Sequence, residues 1–580
     1  MLGVRGKKKS PKNKKTDSSK DLKQRLIEKR KAKEARQKLA KQITLSIFLA
    51  IMIGIPLGLG FGLKAGLGTA VAIPTLILSY HYPRKAIWIF LIYMPFSGTL
   101  TYWIGGGNAL FQISKDAFYI PALLGLIQEC RREKKPIFAV KQLVPTFFLI
   151  VVWALLVLFL VNGMQQFIPE CSSLSEYERF LRDANGEFIL RDGIVITTPC
   201  KDGIPFLQGV VGFKVLLGYV PLMFCAYYFI EDKQKLLTLG RVLVTIVIIC
   251  CVLGLAQYWF LKTGRCAGTD HLSGVELFKP RLEAKCLVGG SLLYSPSQGQ
   301  IRLPGTFVSP WHWAWFLVAS AAICFNTAFS DNKLFWRNCG LIGMGLVFIN
   351  AVICGQRLAF AAVPGIILVL TILTGQIANF KRFISLSLGL ALVLSIGLSF
   401  FNPDFIQERV DSFVNRWNTA PPQQFIEKQF TFSIENQRSL LGRGLGKGTN
   451  SSRTFGETAL IETYHPKLLF EIGYMGLILF MLFVTHLIIL SFKEYRSLKD
   501  PILSRFASGF WVFTLIIPYM PYWYPLDTDP VSVYYWFFAG TIFKLSLIDQ
   551  QEQKKLKEER KAAKANKKRL KKIRIKPSTV

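Results

Sequence analysis

The chain has 580 residues, 51% of them hydrophobic, with a mean hydropathy of +0.34 and a formal net charge of +35 at pH 7. That balance is too apolar for a soluble protein of this size. It does not describe a nucleic-acid binder either, because the charge sits in two tails without interleaved aromatics for base stacking: residues 1–41 hold 17 Lys and Arg against 4 Asp and Glu, and residues 544–580 hold 14 against 4.

In chain order, residues 1–42 form a basic tail that reads as a charged, solvated helix. The first apolar run starts only after it and continues into further spans, so no secretory signal is expected. Apolar runs then recur at 43–62, 66–80, 85–101, 116–130, 143–163, 212–230, 241–261, 311–328, 339–354, 358–374, 383–401, 467–490, 506–520 and 532–547. A bilayer-crossing helix needs about 20 such residues, and strand-like alternation is absent. The expected fold class is an all-α polytopic membrane protein with about 14 transmembrane helices, because in lipid a helix satisfies its own backbone. The bundle occupies 43–548, and a second basic tail follows at 549–580. Both tails adjoin spans, where they would bind anionic membrane lipids; no nucleic-acid partner is expected.

Orientation follows from the charge rule. With the N-terminus cytoplasmic, the short basic loops at 81–84, 131–142, 231–241, 329–338, 375–382 and 492–505 also fall inside, as does the C-terminus. The long loops 164–211, 262–310 and 402–466 fall outside. Seven of the eleven cysteines lie in or beside spans. The other four, Cys171 with Cys200 and Cys266 with Cys286, share outer loops in pairs, which suggests two disulfides in an oxidising compartment. No ligand spacing for a metal and no nucleotide motif is present, so neither a metal nor another cofactor is expected. The run Gly442, Gly444, Gly446 and Gly448 reads either as a flexible turn or as a backbone nest beside an anion.

Three basic groups fall on the outer side, where the charge rule disfavours them. Arg302 lies in RLPGTFVSP, ahead of Trp311, His312, Trp313 and Trp315. These aromatics suit an interfacial belt, and His312 reads as a packing residue. Arg357, beside Gln356, lies in a turn of a few residues between two spans. An arginine there can simply snorkel to headgroups, or it can hold an anion. His465 precedes Pro466, which suits the first turn of a helix. The N–H groups of that turn favour an anion, and imidazole titrates near neutrality. Lys467 and Glu471 share a face at i, i+4. Upstream, the long loop 402–466 carries Arg409, Arg416, Arg438, Arg443 and Trp417, and loops of this length tend to be functional or lid-like.

The ordered set RLPGTFVSP, GQRLAFAAVPGIILVL, LLGRGLGKG and YHPKLLFEIGYMGLILFML resembles the O-antigen ligase and O-antigen polymerase superfamily of bacterial lipid-linked glycan transferases. The likeness covers roughly residues 210–545, with His followed by E-x-G-x-x-G as its most specific element. The basic N-terminal tail and the number of spans are similar, more narrowly, to cyanobacterial hormogonium polysaccharide biosynthesis members. The resemblance implies that Arg302 and Arg357 hold the diphosphate of a polyprenyl-diphosphate-linked saccharide donor. It implies that His465 activates the hydroxyl of a saccharide or lipid-glycan acceptor. Gln356, Lys467, Glu471 and Arg443 would line the substrate site, in the bacterial plasma membrane. Two departures stand out: His465 is followed by Pro466 where members often have Asn, and Pro310 by Trp311 where they often have Asn. A flippase for the same lipids is the alternative reading, although transporters bind near the bilayer midplane and these span interiors carry almost no charge. A structural scaffold is a third.

Overall fold

The computed structural model describes residues 11–107, 114–137, 140–168, 203–269, 281–295, 300–376, 421–437, 439–522 and 524–574, with isolated positions at 111, 190–191, 194–195, 272, 407 and 414. Among the described residues nine helices are long and apolar enough to cross a membrane: Arg36–Gly60, Lys141–Phe167, Pro205–Phe229, Lys233–Lys262, Pro310–Ser330, Leu334–Ile353, Tyr464–Ser497, Pro501–Tyr519 and Val531–Asn566. Ala65–His81 and Arg357–Leu373 are apolar but shorter. The chain is thus a multi-pass helical membrane protein, with fewer full-length spans among the described residues than the expected 14 or so. The run at 85–101 is broken, because helix Pro83–Tyr93 passes into a 3-10 turn at Met94–Phe96 and a π turn at Thr99–Ile104. Pro95, which has no N–H to give, lies in that break. The run at 383–401 lies outside the described residues, as do Arg409, Arg416, Trp417 and Arg438.

The chain divides into two units, residues 1–90 with 113–129, and residues 91–112 with 130–580. In the first, α1 (Pro11–Phe61) and α2 (Leu63–His81) form a hairpin closed by small residues. A Cβ on Gly66 would come within 2.9 Å of the Gly58 Cα, so glycine is what allows the two backbones to meet. In the same unit Arg84 grips Glu129 through bonds of 2.9 and 2.7 Å.

The second unit contains α3 (Val144–Leu156), α4 (Pro205–Leu217), α5 (Leu222–Phe229), α6 (Lys233–Lys262), α7 (Pro310–Ser330), α8 (Leu334–Ile353), α9 (Arg357–Leu373), α10 (Pro422–Glu435), α11 (Tyr464–Ser497), α12 (Pro501–Ile516) and α13 (Val531–Arg574). Helix α7 is central and buried along nearly its whole length, with Trp313, Trp315 and Phe316 among the largest enclosed side chains. Its neighbours approach closely where side chains are small: a Cβ on Gly340 would lie 2.5 Å from the Ala328 nitrogen. Helices α6 to α9 and α11 to α13 reverse direction in turn, so this unit has two distinct ends.

Ion pairs tie one end. Lys233 meets Asp500 at 2.6 Å, and Arg241 holds Asp331 through bonds of 2.7 and 2.9 Å. Asp549 of α13 accepts from the backbone nitrogens of Lys499 and Asp500 at 2.9 and 3.1 Å. The opposite end gathers the described residues 263–269, 281–295, 300–309, 354–356, 439–464, 517–522 and 524–530. Arg302 and Gln356 lie there, and Arg357 and His465 open helices that start from it.

Candidate active site

Arg302 ends the strand Gln300–Arg302, which pairs antiparallel with Leu293–Ser295 in the register Leu293 to Arg302. Two devices fix this hairpin. Cys266 and Cys286 form one of the two expected disulfides, with 5.7 Å between their Cα atoms, whereas Cys171 and Cys200 lie outside the described residues. Gln257, near the end of α6, donates to the Cys286 carbonyl at 2.9 Å and accepts from the Gly305 nitrogen at 3.0 Å. Gly305 has φ 55°, and a Cβ there would strike Trp313 at 2.3 Å, so the Pro304-Gly305 turn needs glycine. The seven other described cysteines form no disulfide, and six of them are buried.

The same hairpin is locked to the turn before Arg357. The Leu303 nitrogen donates to the Cys354 carbonyl at 3.1 Å. Gly355, with φ 71°, sits where a Cβ would come within 1.7 Å of the Ile301 oxygen. Two arginines 55 positions apart in sequence are thereby brought within electrostatic reach of each other. Burial is the largest influence on Arg302 and lowers its pKa; Glu462 opposes that shift and Arg357 adds to it. Two half-buried cations this near each other make a setting that favours an anion between them or nearby. Gln356 at the start of α9 is 3% exposed, and its Nε2 has no hydrogen-bond partner among the described residues. A buried amide donor without an acceptor is the kind of orphan that a ligand oxygen would satisfy.

Arg357 lies beside the phenol of Tyr522, whose pKa is raised by burial and partly restored by that cation. Tyr522 carries the site across to His465. It bridges Thr463 in an antiparallel pair, and the Tyr464 nitrogen donates to the Pro521 carbonyl at 2.7 Å. His465, the second residue of α11, brings Nε2 to 2.9 Å from the Pro518 carbonyl. Helix α10 closes over this seam: Phe425 stacks on Tyr522 at 5.9 Å and 3°, and Gln429 accepts from the Glu462 nitrogen at 2.7 Å. Arg357 and His465 therefore both adjoin one segment, 518–522, and Arg302 lies within electrostatic reach of Arg357 and of Glu462. At the start of α7 the Ser309 hydroxyl and the His312 Nδ1 bond to each other, which accounts for His312 locally.

Lys467 and Glu471 occupy a different setting, immediately below the helix start. Each is 2% exposed. Lys467 pairs with Asp527 and lies 3.5 Å from Glu471, and Glu471 accepts from the Gly448 nitrogen at 2.7 Å and the Thr449 hydroxyl at 2.9 Å. The E-x-G-x-x-G motif becomes legible here. Gly473 has φ 73° and ψ 179°, which interrupts the helical ladder inside α11. The carbonyls of Phe470, Glu471 and Ile472 are released from it, and each finds a donor: the nitrogens of Arg443 (2.8 Å) and Gly444 (3.1 Å), and the Trp153 indole (2.9 Å). Gly476 leaves room for that indole.

The glycine run is consequently a clamped buried hub, not a flexible turn. Asn162 brackets Leu445, accepting from its nitrogen and donating to its carbonyl, both at 2.9 Å. Gln165 donates to the Arg443 carbonyl at 2.9 Å, and Gln208 to the Gly446 carbonyl at 3.3 Å. Arg443 is held here by its backbone, on the Glu471 side of α11.

Sequence reasoning did not single out Glu462, Tyr522, Asp527 or the Pro518 carbonyl. The available signal was the aromatic, proline-rich stretch PYMPYWYPLDTDP between two spans, too polar and irregular for either. No family model matches the chain, and no curated protein matches it.

Proposed function

We propose that the protein is a membrane glycosyltransferase of the O-antigen polymerase or ligase type, moving saccharide units from a polyprenyl-diphosphate donor on the extracytoplasmic face of a bacterial plasma membrane. The observation that supports this most is that Arg357 and His465 both adjoin the 518–522 segment while Arg302 lies within electrostatic reach of Arg357. A diphosphate linked to a membrane lipid sits at headgroup depth, where such a pair of guanidinium groups can grip its oxygens in the forked geometry arginine favours. The Gln356 amide adds an uncharged donor beside them.

In the reaction the acceptor oxygen attacks the anomeric carbon, and the bond from that carbon to the diphosphate breaks. The electron pair leaves on the phosphate oxygen, where preorganised donors lower the barrier by about 3–4 kcal/mol each. The His465 imidazole takes the acceptor's proton, worth about 10²- to 10⁴-fold. Lys467 and Glu471 face each other, Asp527 and the glycine loop, so we assign them to holding the start of α11 rather than to touching the donor.

Purified protein with a defined polyprenyl-diphosphate oligosaccharide tests the reading. Transfer in detergent, without a membrane gradient, is expected, and Arg357→Ala and His465→Ala should each reduce it at least 100-fold while folding normally. Undiminished transfer by either variant, or none by the unaltered protein, rejects the assignment and leaves a lipid flippase as the alternative. A ladder of repeats identifies a polymerase, and a single addition a ligase.

A further inference from the structure

We infer that the proton-accepting atom of this site is Nδ1 of His465, with Nε2–H committed to the Pro518 carbonyl as a positioning bond. The inference rests on the glycosyl-transfer reading for its chemistry, but its geometry stands apart from it. A carbonyl oxygen has lone pairs and no proton, so at 2.9 Å the ring nitrogen must be the donor. A neutral imidazole has one N–H, and the bond made by one nitrogen fixes the tautomer of the other. Nδ1 is then the nitrogen with a free lone pair, and no described residue bonds it.

The local sequence explains why the Pro518 oxygen is available. Helix α12 ends at Ile516 and tightens into the 3-10 turn Ile517–Tyr519, and Met520 is already extended, with ψ 119°. Carbonyls at a helix end lack intrahelical partners. The residue three positions on is Pro521, which has no N–H with which to close another 3-10 bond. The oxygen is left to the imidazole, and it points the ring.

During transfer the Nδ1 lone pair takes the acceptor's proton as its oxygen bonds to the anomeric carbon. The donor diphosphate departs with the electron pair beside Arg302 and Arg357. The imidazolium keeps its Nε2–H on Pro518 and later returns the Nδ1 proton to water. Hydroxyls that approach from the Nε2 side are excluded by the carbonyl, so the bond also dictates the face of the ring that the acceptor meets.

Two measurements test this. Replacing His465 by Nδ1-methylhistidine leaves Nε2 as the sole basic nitrogen, and a fall in rate of at least 100-fold is expected; a rate within about threefold of the unaltered protein overturns the inference. Nitrogen-15 spectra of ring-labelled protein at pH 8, with His465 assigned by its loss in His465→Gln, should show Nε2 protonated and Nδ1 bare. A protonated Nδ1 overturns the inference whatever the activity. If the unaltered protein transfers no sugar but the spectra show the expected tautomer, the glycosyl-transfer reading fails while the ring assignment holds.

Discussion

Gly473→Ala tests the account of the E-x-G-x-x-G motif most directly. The residue's φ of 73° with ψ of 179° belongs to a region that side chains avoid, at a cost of about 1–3 kcal/mol. The added Cβ would also sit 1.9 Å from the Leu440 carbonyl oxygen, a backbone atom that cannot swing away. If the helix instead straightens, the Phe470, Glu471 and Ile472 carbonyls return to the ladder. The Arg443 and Gly444 nitrogens and the Trp153 indole then lose their acceptors, at about 1 kcal/mol for each bond. Either route predicts a loss of about 3–5 kcal/mol, read as a lowered midpoint in mixed-micelle SDS titration. Gly365→Ala is the control: it lies in α9 with nothing within 4 Å of a new Cβ, so its midpoint should hold or rise slightly. A Gly473→Ala protein as stable as the control would refute the claim that the kink, rather than the packing around it, is what the motif encodes.

Asn162→Leu removes both bonds to Leu445 from a side chain that is fully buried, and should cost about 2–4 kcal/mol in the same titration; proteolysis within 442–449 should accelerate with it. Cleaving the Cys266–Cys286 bridge frees a loop with a sequence separation of 20 residues and should cost about 3 kcal/mol. Thiol labelling after mild reduction should report these two cysteines well before the six buried ones outside the bridge. At the other end of the unit, burial raises the Asp500 pKa but is outweighed by the Lys233 ammonium and the Leu503 and Ile502 nitrogens, leaving the carboxyl below its ordinary value. A depressed folded pKa means that the stabilisation is complete above the unfolded value of about 3.9 and fades as pH falls through the folded one. Asp500→Asn should therefore be less stable than the unaltered protein at neutral pH, with the gap narrowing below about pH 4.

Some of the site was readable from the chain alone. Arg302 and Arg357 stood out because the charge rule left them unexplained where they fell, and His465 because a His-Pro pair at the head of a long apolar run marks a helix start. The cysteine pair in the loop 262–310 was readable because two thiols that share one loop have few other partners. Lys467 and Glu471 were legible as a pair, but their buried setting was not, since i, i+4 spacing is the same on an exposed face. The run at 85–101 is apolar throughout, so its composition does not reveal the change of backbone geometry at Pro95 and Gly98. The glycine run stayed ambiguous for a related reason: glycine permits a flexible turn and a tightly wedged one equally, and only neighbours such as Asn162 and Glu471 choose between them.

By itself the sequence determined that the chain lives in a membrane as helices, since apolar runs of bilayer length leave the backbone no other way to satisfy its polar groups. It also determined which cations needed an explanation. Tertiary structure alone decided that Arg302 lies within electrostatic reach of Arg357 and of Glu462, that Arg357 and His465 flank the segment 518–522, and that a proline carbonyl orients the imidazole. Those contacts join residues tens to hundreds of positions apart, through hairpin turns and helix ends whose meeting depends on packing. Local periodicity carries no information about such distances.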